Sequence, residues 1–178
     1  MEQIRRIGRK LVAQGSILDY FQDTMESESG IQCVWDCIEH KGAACVVPVR
    51  DDGKILLVRQ YRNPMQRDTL ELPAGKRDSM GEPTLECAKR ELEEETGYRS
   101  EKIEMLLPEF VPAIAYSSEK IDIYVAHELI ETKQHLDEDE FIDLAAYSPE
   151  ELKEMIFNGT IRDSKTVAGI LAYIVKYC

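Results

Sequence analysis

The stretch Gly75-Lys-Arg-Asp-Ser-Met-Gly-Glu82, continuing to Arg90-Glu-Leu-Glu-Glu-Glu-Thr-Gly97-Tyr98, decides the fold. Its second half reads as a helix that stops at Gly97, because glycine tolerates the left-handed conformation in which many helices end. At about 100° per residue, Glu91, Glu94 and Glu95 share one face. Leu85, Ala88 and Leu92 recur at helical spacing on another face, which suits packing on a core. Three like charges on one flank repel and weaken an isolated helix. A hard divalent cation removes that conflict: Mg²⁺ prefers carboxylate oxygens and keeps positions open for water and phosphate oxygens.

The totals agree with an acidic, globular protein. The 178 residues suffice for a sizeable core, and 43% hydrophobic with 31% charged residues is ordinary for a globular domain. A net charge of −12 argues against nucleic acid or an anionic membrane as partner, since both call for basic patches. An acidic protein that handles a phosphate ester needs cations to bridge the repulsion. The five cysteines (33, 37, 45, 87 and 178) include no Cys-x-x-Cys pair, and Cys33 and Cys37, on one side of a strand, read as buried free thiols. The basic N-terminus (Arg5, Arg6, Arg9, Lys10) lacks the apolar run of a signal peptide and no stretch could span a bilayer, so a cytoplasmic location is expected.

Along the chain, Ile4, Ile7, Leu11 and Val12 are spaced for a short helix, and residues 17–38 for an antiparallel hairpin outside the catalytic core, turning between Thr24 and Gly30. Ala43 to Val49 is nearly all apolar, as in a strand buried on both faces, and Asp51-Asp-Gly53 suggests a hairpin turn into Lys54–Tyr61. Short strands follow at Thr69–Leu72, Lys102–Phe110, Ile121–Ala126 and Phe141–Ala145, with an acidic loop at Leu136–Glu140. Ser148-Pro149 with Glu151 starts one helix, and Ser164 is expected to cap a last one from Lys165 to Tyr177.

The central stretch resembles the box of the Nudix hydrolases: Gly, five residues, Glu, seven residues, Arg-Glu, an aliphatic residue, any residue, Glu-Glu, any residue, Gly, an apolar residue. Glu82, Arg90, Glu91, Leu92, Glu94, Glu95, Gly97 and Tyr98 fill the places from the first Glu onward, while six residues rather than five separate Gly75 from Glu82. Glu39-His-Lys-Gly-Ala43, Val58-Arg-Gln-Tyr-Arg62, Glu71-Leu-Pro-Ala-Gly75 and Gly159-Thr-Ile-Arg-Asp163 with Lys165-Thr166 look like the ADP-ribose pyrophosphatase branch. The resemblance implies the α+β class: a Nudix α/β/α sandwich (residues 41–178) with an additional N-terminal antiparallel sheet (residues 1–40). That sheet would support a homodimer and help build the partner's substrate site. One departure bears on substrate. Ala113-Ile114-Ala115, ahead of Tyr116-Ser-Ser-Glu119, stands where many ADP-ribose hydrolases have Ser-Pro-Gly.

Pyrophosphate hydrolysis needs a polarised phosphorus, a positioned water and neutralisation of the leaving phosphate, which two or three Mg²⁺ ions, with Mn²⁺ as a substitute, supply. Glu91, Glu94 and Glu95 are the expected ligands, and the resemblance adds the Ala74 carbonyl. Glu94 counts among the catalytic residues too. Arg90, four residues before Glu94, is placed to orient it. Glu82 either joins the metal cluster or merely favours the helix dipole. With the box glutamates engaged, the general base falls to the acidic loop, Glu140 first and Glu138 second. Arg62 can pair a phosphate or a ribose through its fork of donors. Trp35 either stacks on a purine or lies in the core, and Glu71 either accepts from a ribose hydroxyl or orients the Pro73-Ala74-Gly75 turn. The leading expectation is Mg²⁺-dependent hydrolysis of ADP-ribose to AMP and ribose 5-phosphate. The alternatives are GDP-mannose or another nucleotide sugar as substrate, and a non-catalytic nucleotide-sugar-binding sensor.

Overall fold

Residues Ile4–Gln14 form a strand, β1, and not the helix that the spacing of Ile4, Ile7, Leu11 and Val12 suggests. The register of β1 shifts between Arg6 and Gly8 and again between Leu11 and Ala13. Each bulge inserts a residue and breaks the two-residue alternation, so a bulged strand imitates helical spacing. With β2 (Asp19–Ser27) and β3 (Gln32–Glu39) it makes a three-stranded antiparallel sheet in the order β1-β2-β3, one strand more than the expected hairpin. The turn is also shorter than the sequence suggests: Gly30, at φ +84°, donates to the Ser27 carbonyl at 2.9 Å. Arg9 holds Asp23 through Nε and Nη2 at 2.6 and 2.8 Å and reaches Glu39 at 2.6 Å. Cys33 is exposed and Cys37 half-buried, so these two thiols are not the buried pair expected; among the described residues all five cysteines are free.

The computed structural model describes residues 2–136 and 140–178. Within them the chain divides into two units, Met1–Gly42 with Val111–Lys120, and Ala43–Phe110 with Ile121–Cys178. In the first unit the Val111–Lys120 loop is sewn to β3. Ile38 donates to the Tyr116 carbonyl at 2.7 Å, and Ser118 donates back to the Ile38 carbonyl at 2.9 Å.

The second unit is the sandwich. Its strands are β4 (Ala43–Pro48), β5 (Ile55–Arg62), β6 (Arg67–Glu71) and β7 (Ala74–Lys76) before helix α1 (Thr84–Thr96). After it come β8 (Tyr98–Arg99), β9 (Lys102–Phe110), β10 (Ile121–His127), β11 (Ile130–Glu131) and β12 (Ile142–Tyr147), then helices α2 (Pro149–Phe157) and α3 (Ser164–Tyr177). One sheet runs β7-β4-β10-β9, with β4 and β10 parallel; a second runs β12-β5-β6, and β8 pairs with β11. The expected turn at Asp51–Gly53 is present, with Gly53 N–H on the Arg50 carbonyl and Arg50 N–H on the Lys54 carbonyl, both at 2.9 Å. The antiparallel pairing stops at an isolated Val49–Ile55 bridge just beyond β4, and β4 and β5 belong to different sheets.

All six residues of β4 are buried, and alternation sends them to opposite helices. Ala44 and Val46 join Cys87, Ala88 and Leu92 of α1, while Cys45 and Val47 join Leu72, Ile123, Ile161 and Ile170 on the α3 side. Truncating the fully buried Leu92 to alanine removes about 2–5 kcal/mol. Ser148 and Glu151 form the expected capping box of α2. Helix α3 is capped one residue earlier than expected: Asp163, not Ser164, accepts the Thr166 N–H. Among the described residues no helix is long and apolar enough to cross a membrane.

Candidate active site

The site grows from the last two turns of α1. Gly97 ends the helix at φ +68°, and its N–H returns to the Glu93 carbonyl at 2.9 Å. A Cβ there would also lie 2.9 Å from the Gln134 nitrogen, so the glycine makes room for the chain that follows β11. That chain takes up the carbonyls a helix end leaves unpaired. Thr132 N–H donates to Gly97 O at 2.7 Å, His135 N–H to Glu94 O at 3.0 Å, and Gln134 Nε2 to Glu95 O at 2.7 Å. Residues 132–135 are thereby fastened to the end of α1 that carries the carboxylates. Glu138 lies outside the described residues; Glu140 is close enough for its charge to act on both Glu91 and Glu95.

Glu91 and Glu95 are buried on the flank that faces β7. The Ala74 N–H donates to Glu95 Oε2 at 2.9 Å, and a Cβ built on Gly75 would collide with the Glu91 carboxylate. Gly75 is therefore a seat for that carboxylate. Arg90 Nη1 bridges Glu91 at 2.7 Å and Glu94 at 2.9 Å, as its spacing from Glu94 predicts. Burial pushes the Glu91 carboxyl up to about 7 against the pull of Arg90, and Glu94 and Glu140 add to the rise. Burial pushes Glu95 up to about 8, opposed by the Ala74 N–H and reinforced by Glu91 and Glu140.

Among the described residues, no three acidic, histidine or cysteine side chains converge on one point as they stand; Arg90 lies between two of the expected ligands. The donor chemistry nevertheless fits Mg²⁺. All the donors are oxygens, and two of the carboxylates are buried where ionisation is unfavourable without a cation. Glu82 has other contacts. Its Oε2 accepts the Asp78 N–H at 2.7 Å and its Oε1 faces Arg90 Nε at 3.5 Å. With Arg77 Nε on the Glu82 carbonyl at 2.7 Å, it closes the loop that is one residue longer than the usual box.

A second cluster forms where β6 meets the start of α3. Glu71 is 3% exposed and saturated with donors. Its Oε1 accepts Arg62 Nε at 2.8 Å and the Thr69 hydroxyl at 2.6 Å; its Oε2 accepts Arg62 Nη2 at 2.8 Å and Lys165 Nζ at 2.5 Å. Burial alone would raise this carboxyl, but Arg62 and Lys165 hold it well below the usual carboxylate range. Glu71 thus anchors the segment before Pro73, and Arg62 stays 40% exposed. Trp35 stands half-exposed on β3, opposite Asp23 of β2 in the first unit.

A match to the NUDIX domain covers residues 39–169. The chain belongs to the Nudix family. An ADP-ribose pyrophosphatase of Bacillus subtilis (strain 168) is 33% identical over 175 residues, which is 97% of this chain and 91% of that protein. A methanol dehydrogenase activator of Bacillus methanolicus is 36% identical over 168 residues, 93% of this chain and 90% of that one. The crystal structure of an ADP compounds hydrolase superposes with a TM-score of 0.84 over 97% of this chain and 93% of that one; at 22% identity it speaks for the fold. In this Nudix domain the residues that sequence reading left without a role are Asp163, Lys165 and Thr166. A lysine just inside a helix N-terminus opposes the helix dipole, and that was the available signal.

Proposed function

We propose that this Nudix protein hydrolyses the pyrophosphate bond of a nucleoside diphosphate sugar, ADP-ribose foremost, giving AMP and ribose 5-phosphate. The observation that carries the reading is the pair of buried carboxylates, Glu91 and Glu95, set beside Glu94 and within reach of the charge of Glu140. A relative that spans the chain and is named an ADP-ribose pyrophosphatase supports the choice of substrate. Glu91, Glu94, Glu95 and the Ala74 carbonyl hold the cation, and Arg90 keeps Glu94 and Glu91 oriented. Bound Mg²⁺, as two or three ions, supplies charge neutralisation and a more acidic water. Glu140, with Glu138 as second choice, accepts the proton of the attacking water. Arg62 engages the diphosphate with the part of its guanidinium that Glu71 leaves free, and Glu82 keeps the loop before α1 closed.

Residues 1–40 mediate a homodimer in this reading and offer Trp35 to the purine in the partner copy's site. Ile4, Ile7, Leu11 and Val34, all exposed on that sheet, support an association surface. The protein acts in the cytoplasm. Product analysis tests the activity, with Mg²⁺ and a panel of ADP-ribose, GDP-mannose, UDP-glucose, NADH and diadenosine polyphosphates. AMP release from ADP-ribose is expected. Preference for another nucleotide sugar would move the specificity to the Ala113-Ile114-Ala115 loop, and no turnover with Mg²⁺ bound would leave a sensor.

A further inference from the structure

Lys165 is largely covered in the first turn of α3, its side chain 12% exposed, where the helix dipole disfavours a cation. Its ammonium lies 2.5 Å from Glu71 Oε2 and 2.8 Å from Asp163 Oδ2. Glu71 Oε2 is the same oxygen that accepts Arg62 Nη2 at 2.8 Å. Two cations thus share one carboxylate, and Asp163 draws on the second of them. Arg62 is also under the influence of Glu95, which places it in the electrostatic neighbourhood of the α1 carboxylates. The Asp163 carboxylate is held in turn by the Thr166 N–H at 3.0 Å and the Thr166 hydroxyl at 2.6 Å, while Thr166 Oγ1 accepts the Leu72 N–H at 2.9 Å. Packing leaves no slack, since a Cβ on Gly169 of α3 would come within 2.8 Å of Leu72 Cδ1.

A carboxylate that clamps an arginine offsets the field of its charge and weakens its pull on an anionic ligand. We propose that Lys165 is a positioning residue for substrate capture: by taking a share of Glu71, it leaves the half-exposed Arg62 guanidinium positive and aimed toward a nucleotide diphosphate. Asp163 sets the balance from the other side. The four groups sum to zero, so each substitution shifts the field at Arg62 by one charge in a known direction. This inference rests on the assignment of Arg62 to the diphosphate made above.

The test is steady-state kinetics on ADP-ribose with saturating Mg²⁺, read as a split between KM and kcat, for Arg62→Ala, Lys165→Met, Lys165→Arg and Asp163→Asn. Arg62→Ala and Lys165→Met are each expected to raise KM about tenfold, the scale of one uncompensated charge inside a Debye length, with most of the loss on KM. Raising the salt concentration should shrink the Lys165→Met effect, and Lys165→Arg should recover most of it. Asp163→Asn preserves the helix cap, because asparagine caps as well as aspartate, and removes one negative charge, so KM should fall. A purely structural role for the cluster would move Lys165→Met and Asp163→Asn in the same direction. That outcome, or an unchanged KM in folded Lys165→Met while Arg62→Ala raises it, overturns the inference. If Arg62→Ala leaves KM unchanged, the assignment of Arg62 itself fails and the inference falls with it. Should Lys165→Met not fold, the sign of the Asp163→Asn effect decides alone.

Discussion

Two sets of buried carboxylates lie in one sandwich and are treated in opposite ways. Glu71 is surrounded by donors: two arginine nitrogens, a lysine and a hydroxyl saturate both oxygens. Glu91 and Glu95 are about as deeply buried, yet Glu91 has only an arginine that it shares with Glu94, and Glu95 only the Ala74 peptide N–H. The first group is held far below its usual range, and the other two are pushed up to about 7 and 8. A satisfied carboxylate is a structural anchor. A sparsely compensated pair on a helix flank is a site that favours a cation, since under-compensated buried charge is otherwise unfavourable.

The largest expected consequence is catalytic. Glu94→Gln keeps the shape of the α1 flank and removes one carboxylate of the proposed metal site, so turnover should fall about a thousandfold, about 4 kcal/mol of barrier, with the circular dichroism spectrum unchanged. Activity retained within tenfold would take Glu94 out of the metal site. On the Glu71 side the expected loss is in stability. Glu71→Gln leaves Lys165 and Arg62 short of a counter-charge, which destabilises by about 3–5 kcal/mol, a fall in Tm of about 10 °C for a chain of this size. An unchanged Tm by calorimetry would show that the cluster does not anchor the fold.

The pH response separates the two groups by sign. Glu71, lowered from 4.5, stabilises the fold above that value, and the contribution is lost as pH falls through the folded value. Glu91 and Glu95, raised from 4.5 to about 7 and 8, favour the fold below 4.5, and that contribution is lost as pH rises through 7 and 8. The metal-free protein should therefore lose Tm between about pH 5 and pH 8, and Mg²⁺ should restore it at the alkaline end. Glu95→Gln should raise the metal-free Tm at pH 8 by a few degrees, the opposite of Glu71→Gln. A metal-free Tm that is flat over this range, in thermal melts at constant ionic strength, would remove the contrast.

The smallest effect belongs to Gly97 at the end of α1. Gly97→Ala must adopt φ +68° and press on Gln134, which destabilises by about 1–2 kcal/mol. Because Gln134 and His135 hold the chain leading to Glu140, kcat should fall further than the Tm shift alone explains. A normal kcat would separate that turn from the base.

What the sequence showed follows the same division. The α1 flank was legible because helical periodicity fixes Glu91, Glu94, Glu95 and Arg90 relative to one another without any knowledge of the rest of the chain. Continuous apolarity likewise revealed β4, and the Ser148–Glu151 box revealed α2. The Glu71 cluster was not legible, since Lys165 lies 94 residues away and only packing of α3 on Leu72 brings the two together. The same holds for Gly97, whose role as a stop was plain while its role as room for Gln134 required the tertiary contact. In β1 the bulges at Arg6/Gly8 and Leu11/Ala13 disguised a strand as a helix. At α3 the sequence pointed to Ser164 as the cap, and the Thr166 contacts place the cap at Asp163 instead.

The most direct measurement is calorimetric titration of the metal-free protein with Mg²⁺ at pH 7 in two buffers of different ionisation enthalpy. Carboxylates must be ionised to bind metal, so binding should release between about one and two protons from Glu91 and Glu95 together. The release should persist in Glu71→Gln and disappear with binding in the double substitution Glu91→Gln, Glu95→Gln. Binding with no proton release, or binding that survives the double substitution, would contradict a metal site on the flank of α1.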